Sequence, residues 1–228
     1  PAFIKNGRVQ QFNVVLANPP YSIKQWNREA FEHDRYGRNF LGVPPQDCAD
    51  YAFIQHILAS LDEKNGRCAI LLPLGLLSKK AEFEMRTNLI NSDLLEAIIG
   101  LGPNLFYNSP MEAMIMVCNR NKAADLKGKV MFINAVKEVV RKNAESKLEP
   151  QHIEKISSAY FGKQDIENFC KIVDVQTLLD NGSNMTISLY VMPKIERDEI
   201  LPLDESYQQW NQYSRQINVN LSSLIKML

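Results

Sequence analysis

The amino-acid sequence predicts an α/β protein built on one open sheet with helices on both faces. Three observations lead to this prediction: short, wholly apolar segments suited to buried strands, segments with helical periodicity between them, and the alternation of the two kinds along the chain. With 228 residues, of which 45% are hydrophobic, the chain has enough apolar material for one large domain and an appendage.

The first predicted strand, Phe12–Ala17, runs directly into Asn18, Pro19, Pro20 and Tyr21. Neither proline has an N–H group to donate to a sheet, so the strand must end at this point. The loop that follows presents an amide and an aromatic ring at the carboxyl end of the strand, which is where open α/β sheets bind their ligands.

The central part of the sequence alternates helices and strands. In chain order, we predict a long loop over Ser22–Pro45, a helix that Asp47 or Asp50 caps and Gly66 ends, a strand over Cys68–Pro73, a helix over Lys79–Asn91 with Phe83, Leu89 and Ile90 turned inward, and strands over Leu94–Leu101, Glu112–Arg120 and Lys129–Ala135. The short loop near Phe106 predicts that the strands on either side form an antiparallel hairpin that closes one edge of the sheet.

The last third of the domain is less regular. Lys137–Pro150 is charged and predicts an exposed loop, Pro150 begins a helix over His152–Phe161, and Phe169–Val175 and Met185–Val191 predict peripheral strands.

The tail has a heptad pattern. Its apolar positions, interrupted once by a serine, are Leu203, Tyr207, Trp210, Ser214, Ile217, Leu221, Leu224 and Leu228. A single helix cannot bury such a seam, so the tail either folds back or docks against another chain. We favour docking, and divide the chain into a domain over residues 1–192 and a linker with heptad helix over 193–228.

Charge and cysteine content exclude several classes of protein. Lysine plus arginine and aspartate plus glutamate number 26 each, whereas a protein that grips DNA unaided normally has a basic excess. The four cysteines form no C-x-x-C pair, so we expect neither a metal site nor disulfides. The sequence shows no signal peptide and no apolar run long enough to span a bilayer, and we expect a cytoplasmic protein.

The Asn-Pro-Pro-Tyr loop suits one kind of substrate group. The side-chain oxygen of Asn18 and the carbonyl of Pro19 are two rigid acceptors, which match an amino group with two N–H donors. Tyr21 adds a face on which a planar base can stack. An exocyclic amine held in this way becomes a better nucleophile, and in duplex DNA its base must first be extruded from the helix. The simpler alternative is that Pro-Pro only terminates the strand.

These residues resemble the amino-methyltransferase signature of AdoMet-dependent enzymes, and the wider chain resembles the modification subunit of type I restriction–modification systems, which are DNA adenine-N6 methyltransferases. The similar segments, from about residue 10 to residue 191, are FNVVLANPPYS, PPQDCADYAFIQHIL, GRCAILLPLGLL, LLEAIIGLGPNLFY, GKVMFINA and SNMTISLYV.

The resemblance implies a Rossmann-like methyltransferase sheet, S-adenosylmethionine as cofactor, and Asn18, Pro19, Pro20 and Tyr21 as catalytic residues, with Tyr21 also binding the target adenine and Asn18 also contacting the cofactor. It places Phe106 as a second aromatic wall for the base, although a buried loop anchor is an equal alternative. Asn108–Met111 departs from the small, glycine-containing run of the family. The tail corresponds to the helical region that contacts the specificity subunit, and the family also allows a restriction or translocase subunit.

The glycine-rich turn that binds AdoMet in this family has no counterpart before Asn18. We therefore expect a carboxyl-terminal portion of the catalytic domain that is inactive by itself and binds AdoMet poorly. The strand Phe12–Ala17 should then have a bare edge.

Two other functions use the same residues. Protein-glutamine methyltransferases also contain Asn-Pro-Pro-Tyr, because a glutamine amide offers the same two N–H donors. A non-catalytic assembly module that retains the loop is the second alternative.

Overall fold

A mixed sheet of six strands forms the centre of the fold. The computed structural model describes residues 3–106, 111–142, 145–192 and 203–225. The strands are β1 (Ile4–Lys5), β2 (Arg8–Val9), β3 (Val14–Ala17), β4 (Arg67–Pro73), β5 (Leu95–Leu101), β6 (Ala113–Asn119), β7 (Lys129–Ala135), β8 (Val140–Lys142), β9 (Glu145–Lys147) and β10 (Cys170–Asp174). The helices are α1 (Arg28–Glu32), α2 (Asp50–Ala59), α3 (Phe83–Asn91), α4 (Pro150–Gly162), α5 (Val175–Asp180) and α6 (Leu203–Ile225). Among these residues, no helix is both long enough and apolar enough to cross a bilayer.

The strands of the central sheet lie in the order β10-β7-β5-β6-β4-β3. The pairs β3–β4 and β5–β7 are parallel, whereas β4–β6, β5–β6 and β7–β10 are antiparallel. The strands β1 and β2, and likewise β8 and β9, form separate two-stranded hairpins. The predicted α/β fold is confirmed, with a sheet that is mixed in direction.

The hairpin β5–β6 is antiparallel as predicted, but its predicted place at an edge of the sheet is wrong. Strand β6 lies inside the sheet, between β5 and β4, and pairs with β4 from Arg67↔Asn119 to Pro73↔Ala113. The physical reason is the apolar content of β6, whose side chains are buried or half-buried throughout. Because both faces of β6 carry apolar side chains, it is stabilised in the interior of the sheet, where helices cover both faces.

The alternation of side chains along the strands divides the core between the two faces of the sheet. On β5, Ile98 packs with Ile54 of α2 and Leu89 of α3, whereas Ile99 packs on the opposite face with Ala159 of α4. Helices therefore cover both faces, as the sequence predicts.

Several local predictions need correction. Lys137–Pro150 contains the hairpin β8–β9 and is not simply a loop. Met185–Val191 is not a strand, because the Asn184 side-chain oxygen accepts bonds from Thr186 and begins a 3₁₀ turn over Ile187–Leu189. Phe83 is about half exposed, since it lies outside the stripe of α3 that is buried.

Strand β3 forms one edge of the sheet. Among the described residues it pairs only with β4, in the register Val14↔Arg67 to Ala17↔Ile70. Its Val14 and Leu16 side chains are 51% and 79% exposed. The bare edge expected from the sequence is therefore present, with an uncovered apolar face beside it.

The chain divides into two compact units, Pro1–Pro193 and Lys194–Leu228. The predicted tail helix is confirmed as α6, in which Leu203, Tyr207, Trp210 and Ile217 are each more than half exposed. Side chains beyond Ile217, including the predicted seam positions Leu221 and Leu224, and all of Leu228, lie outside the described part of the chain.

Candidate functional site

Asn18, Pro19, Pro20 and Tyr21 lie at the carboxyl end of β3, directly after Ala17. Ala17 pairs with Ile70, near the carboxyl end of β4. Because the two strands are parallel, the loop follows β3 at the same end of the sheet as the 3₁₀ turn Leu74–Leu77, which follows β4. Asn18 and Pro20 are exposed, whereas Pro19 and Tyr21 are half-buried. The loop therefore presents its polar side chain to the surface and not to the packed interior.

A hydrogen bond within the loop joins the two residues that the sequence singles out. The Tyr21 hydroxyl donates to Asn18 Oδ1 over 2.8 Å. The Tyr21 hydroxyl is therefore a donor that already contacts Asn18 Oδ1, the acceptor that we expect to bind an amine. Burial and, second, the negative charge of Asp50 raise the pKa of the Tyr21 phenol above its ordinary value.

Asp50 ties this loop to the core. Its Oδ1 accepts the backbone N–H of Ser22 over 2.7 Å, and the neighbouring Ala49 N–H donates to the carbonyl of Ile23. The prediction that Asp47 or Asp50 caps α2 is wrong: the cap position is Ala49, without a side-chain bond, and the Asp50 carboxylate is directed to the loop. The sequence signal was available, since Asp50 is the single acidic residue in the apolar stretch Cys48–Leu61.

A buried polar cluster lies behind Asp50. It consists of Cys48, Asp50 and Glu82, and one ligand-type atom of each lies within 4.8 Å of the others. The Cys48 thiol donates to Glu82 Oε1 over 3.1 Å, and Lys79 Nζ lies 3.6 Å from the same sulfur. Asp50 Oδ2 and Glu82 Oε2 are buried without a hydrogen-bond partner in the described part of the chain.

Burial dominates the electrostatics of this cluster. It raises the pKa of the Cys48 thiol to about 12 and raises the pKa of Glu82 above that of an ordinary carboxyl group. Partial burial works against the charged form of Lys79, but Glu82 and Cys48 outweigh it, and the pKa of Lys79 is raised. Cys48 is therefore a protonated donor here, and Lys79 is a cation that offsets acidic charge.

Comparison with known proteins identifies the family. The family model described as N-6 DNA Methylase matches residues 3–199. The chain belongs to the N-6 DNA methylase family. Its curated relatives include two from Methanocaldococcus jannaschii, the type I restriction enzyme MjaVIII methylase subunit (36% identical over 209 residues, 86% of this chain) and the MjaVII methylase subunit (34% identical over 210 residues, 86% of this chain).

A solved relative shows the same fold. The type I restriction-modification methyltransferase subunit from Streptococcus thermophilus has a TM-score of 0.73 and 32% identity, and the match covers 80% of this chain and 38% of that one. The matches to the MjaVIII and MjaVII subunits cover 34% and 36% of their lengths, so this chain spans about a third of the curated relatives it matches.

In this N-6 DNA methylase chain, Phe106 lies in a different environment from the Asn18–Tyr21 loop. It lines an open cavity of about 430 Å³ together with Leu71, Leu101, Leu105 and Leu148, and no residue of the Asn18–Tyr21 loop is among the lining residues described. Leu101 ends β5, so the cavity lies toward the carboxyl ends of the strands. Of the divergent stretch Asn108–Met111, residues 108–110 lie outside the described part of the chain.

Proposed function

We propose that this chain provides the adenine-binding part of a DNA adenine-N6 methyltransferase, the methylase subunit of a type I restriction–modification system. The single observation that supports this most strongly is the exposed Asn18 acceptor, which follows an edge strand and lies beside the Tyr21 ring. In an N-6 DNA methylase such an arrangement matches the amino group and the flat ring of adenine.

The chemistry follows from the two acceptors. Asn18 Oδ1 and the Pro19 carbonyl would each accept one N6 hydrogen, while Tyr21 stacks on an adenine that has left the duplex. Holding both hydrogens favours the lone pair of N6 as a nucleophile. The nitrogen would then form a bond to the methyl carbon as the bond from that carbon to the donor's sulfur breaks; the electron pair leaves with the sulfur as a neutral thioether, and N6 loses one proton to solvent. Direct transfer of the methyl group to N6 needs no covalent intermediate on this loop, so its proposed contribution is binding and orientation.

S-adenosylmethionine is the methyl donor that we propose, and it would supply an electrophilic methyl group. Asn18 is the residue of this chain that we expect to contact it, because the loop adjoins the free edge of β3 and the uncovered Val14 and Leu16. The uncharged acceptors of the loop fit a cationic sulfonium donor. We further propose that the 228-residue chain alone is inactive and binds AdoMet weakly, because it spans only about a third of its relatives.

The test is DNA methylation by the protein of full length. Asn18→Ala should lower the formation of N6-methyladenine by about 10²–10³-fold, which is typical for the loss of one preorganised hydrogen-bonding group. Asn13→Ala is the matched control, because Asn13 precedes the other end of the same strand. Mass spectrometry of digested DNA measures the product.

The same experiment separates the alternatives. Methylated glutamine in a protein substrate, with unmodified DNA, would replace the proposal by a protein-glutamine methyltransferase. Undiminished DNA methylation by Asn18→Ala would remove the catalytic role of the loop and favour an assembly module.

We also propose that α6 docks on a specificity subunit, in a cytoplasmic complex on DNA that can include a restriction or translocase subunit. The exposed apolar residues of α6 support this, including Tyr207 and Trp210, whose rings stack with centroids 6.2 Å apart. The neutral net charge agrees with a partner that supplies phosphate contacts. Trp210→Ser should reduce co-purification with the specificity subunit, whereas Gln212→Ser, at an exposed position off the predicted seam, should not.

A further inference from the structure

We propose that Asp50 is the positioning residue of the catalytic loop: its carboxylate holds the turn after Tyr21 and thereby fixes where Asn18 and the Tyr21 ring meet the substrate. This inference rests on the proposed function and assigns a role to a residue that does not itself touch the base.

The turn at Ser22 is held by a hydrogen bond to a residue outside the loop. Ser22 has φ +52°, in the left-handed region that costs a residue other than glycine about 1–2 kcal/mol. The bond from its N–H to Asp50 Oδ1, at 2.7 Å, joins residues 28 apart in sequence, and a carboxylate acceptor makes such a bond stronger than a neutral one. Without this bond, the backbone at Ser22 would relax and move the adjoining Tyr21.

The acceptor of this hydrogen bond is held in place because Asp50 is buried in the core. It is the first residue of α2, its exposure is 1%, and the following Tyr51 and Ile54 are completely buried. The second bond, from the Ala49 N–H to the Ile23 carbonyl, holds the same loop one residue further along. The loop therefore takes its position from a helix fixed in the interior.

The cluster behind Asp50 surrounds its carboxylate with further acidic and polar groups. An asparagine could also accept the Ser22 N–H, although less strongly than a carboxylate, and Asp50 Oδ2 has no partner among the described residues. Glu82 and Cys48 are close to it, and the Lys79 ammonium, near the Cys48 sulfur, offsets the acidic charge. Burial and, second, the charge of Asp50 raise the pKa of the Tyr21 phenol, whose hydroxyl donates to Asn18 Oδ1.

The experiment compares Asp50→Ala, Asp50→Asn and Asp47→Ala in the full-length protein. Asp47 is the matched control, since it is an exposed aspartate three residues away. Asp50→Ala should lower kcat by about 100-fold, the usual effect of a misplacement near 1 Å. It should also accelerate hydrogen exchange of the Ser22 amide and weaken the fluorescence of 2-aminopurine at the target position, which reports base extrusion. Asp47→Ala should match the wild type in every measurement.

Asp50→Asn separates the tie from the charge. Its carbonyl oxygen can accept the same N–H, so Ser22 protection should be retained, while the Tyr21 phenol should titrate at lower pH in NMR of labelled tyrosine. Unchanged Ser22 exchange in Asp50→Ala, or an unchanged kcat, overturns the inference. Should Asp50→Ala fail to fold, Asp50→Asn takes over the test, and Ser22 exchange faster than in the wild type together with an unchanged kcat overturns the inference. A wild type that does not methylate DNA defeats the proposed function separately, because amide exchange still reports whether Asp50 holds the turn.

Discussion

Strands β5 and β3 lie in the same sheet but differ in the burial of their residues and in the number of their neighbouring strands. All seven residues of β5 are buried, whereas none of the four residues of β3 is fully buried. β5 has a neighbour on each side, while β3 has only β4 among the described residues. The fold is therefore stabilised mainly through its interior strands, and the candidate catalytic loop follows the strand that contributes least to the core.

This arrangement separates stability from function along the chain. A loop at a sheet edge leaves its polar groups accessible to a ligand, and it depends on contacts outside its own strand to stay in place. In this chain those contacts come from Asp50 and Ala49 at the start of α2.

The largest expected effect is a difference in the free energy of unfolding between substitutions in the two strands. Ile98→Ala, at a fully buried position of β5, should lower the free energy of unfolding by about 2–5 kcal/mol, because it leaves a cavity between the sheet and the helices. Leu16→Ala on β3 should change it by less than about 0.5 kcal/mol, because that side chain is already exposed. Urea unfolding of the 228-residue chain measures both.

Ile98→Val is the graded control, with an expected loss of about 0.5–1.5 kcal/mol. If Leu16→Ala were as destabilising as Ile98→Ala, the face of β3 would be covered in solution, and the contrast between the strands would fail.

The fold could be predicted where the determinants are local. The continuous apolar stretches of β4, β5 and β7 and the proline at the start of α4 each determine their element within a few residues. The place of β6 between β5 and β4 could not be predicted, because the β4–β6 pairing joins residues 40 to 52 positions apart, from Pro73↔Ala113 to Arg67↔Asn119. Met185–Val191 has the composition of a strand, but Asn184 bonds to Thr186 and turns the chain instead.

For the candidate site as well, the sequence predicts what is determined locally and does not predict contacts between distant segments. Asn18, Pro19, Pro20 and Tyr21 are adjacent in sequence, so their joint presentation at the end of a strand follows from proline geometry. Asp50 reaches the loop only through the packing of α2, and Glu82 and Cys48 approach each other across 34 residues. Sequence patterns identify the candidate site residues more readily than the residues that hold them.

A smaller effect should distinguish the ring of Tyr21 from its hydroxyl. Tyr21→Ala in the full-length protein removes the stacking face and should weaken binding of the extruded base by about 1–3 kcal/mol. Tyr21→Phe retains the face and removes only the bond to Asn18, so its kcat should stay within about tenfold of the wild type, with no increase in the KM for DNA.

Steady-state kinetics on a duplex with one target adenine measure both variants. Equal losses in Tyr21→Phe and Tyr21→Ala would show that the hydroxyl takes part in the reaction, and that the loop is not simply an accessible platform.

The smallest effect should come from the buried acid behind the loop. Glu82 is fully buried, and burial raises its pKa above that of an ordinary carboxyl group. Within the window between the unfolded and the folded pKa, the native state keeps a proton that the unfolded chain has lost, so stability falls as the pH rises. Glu82→Gln cannot titrate, and its stability relative to the wild type should therefore rise across this window and level off above the folded pKa.

Urea unfolding at a series of pH values from about 4 to about 8 covers the ordinary range of a carboxyl group and the range above it. Taking the difference between Glu82→Gln and the wild type cancels the other titrating groups, and the difference at the lowest pH reports any cost of fitting the amide beside Cys48. Glu84→Gln, on the exposed side of α3, is the matched control for replacing a glutamate by a glutamine in this part of the chain. If the difference in the free energy of unfolding between Glu82→Gln and the wild type did not change with pH, water would reach this carboxyl group. The region behind the Asn18–Tyr21 loop would then be less tightly packed than β5.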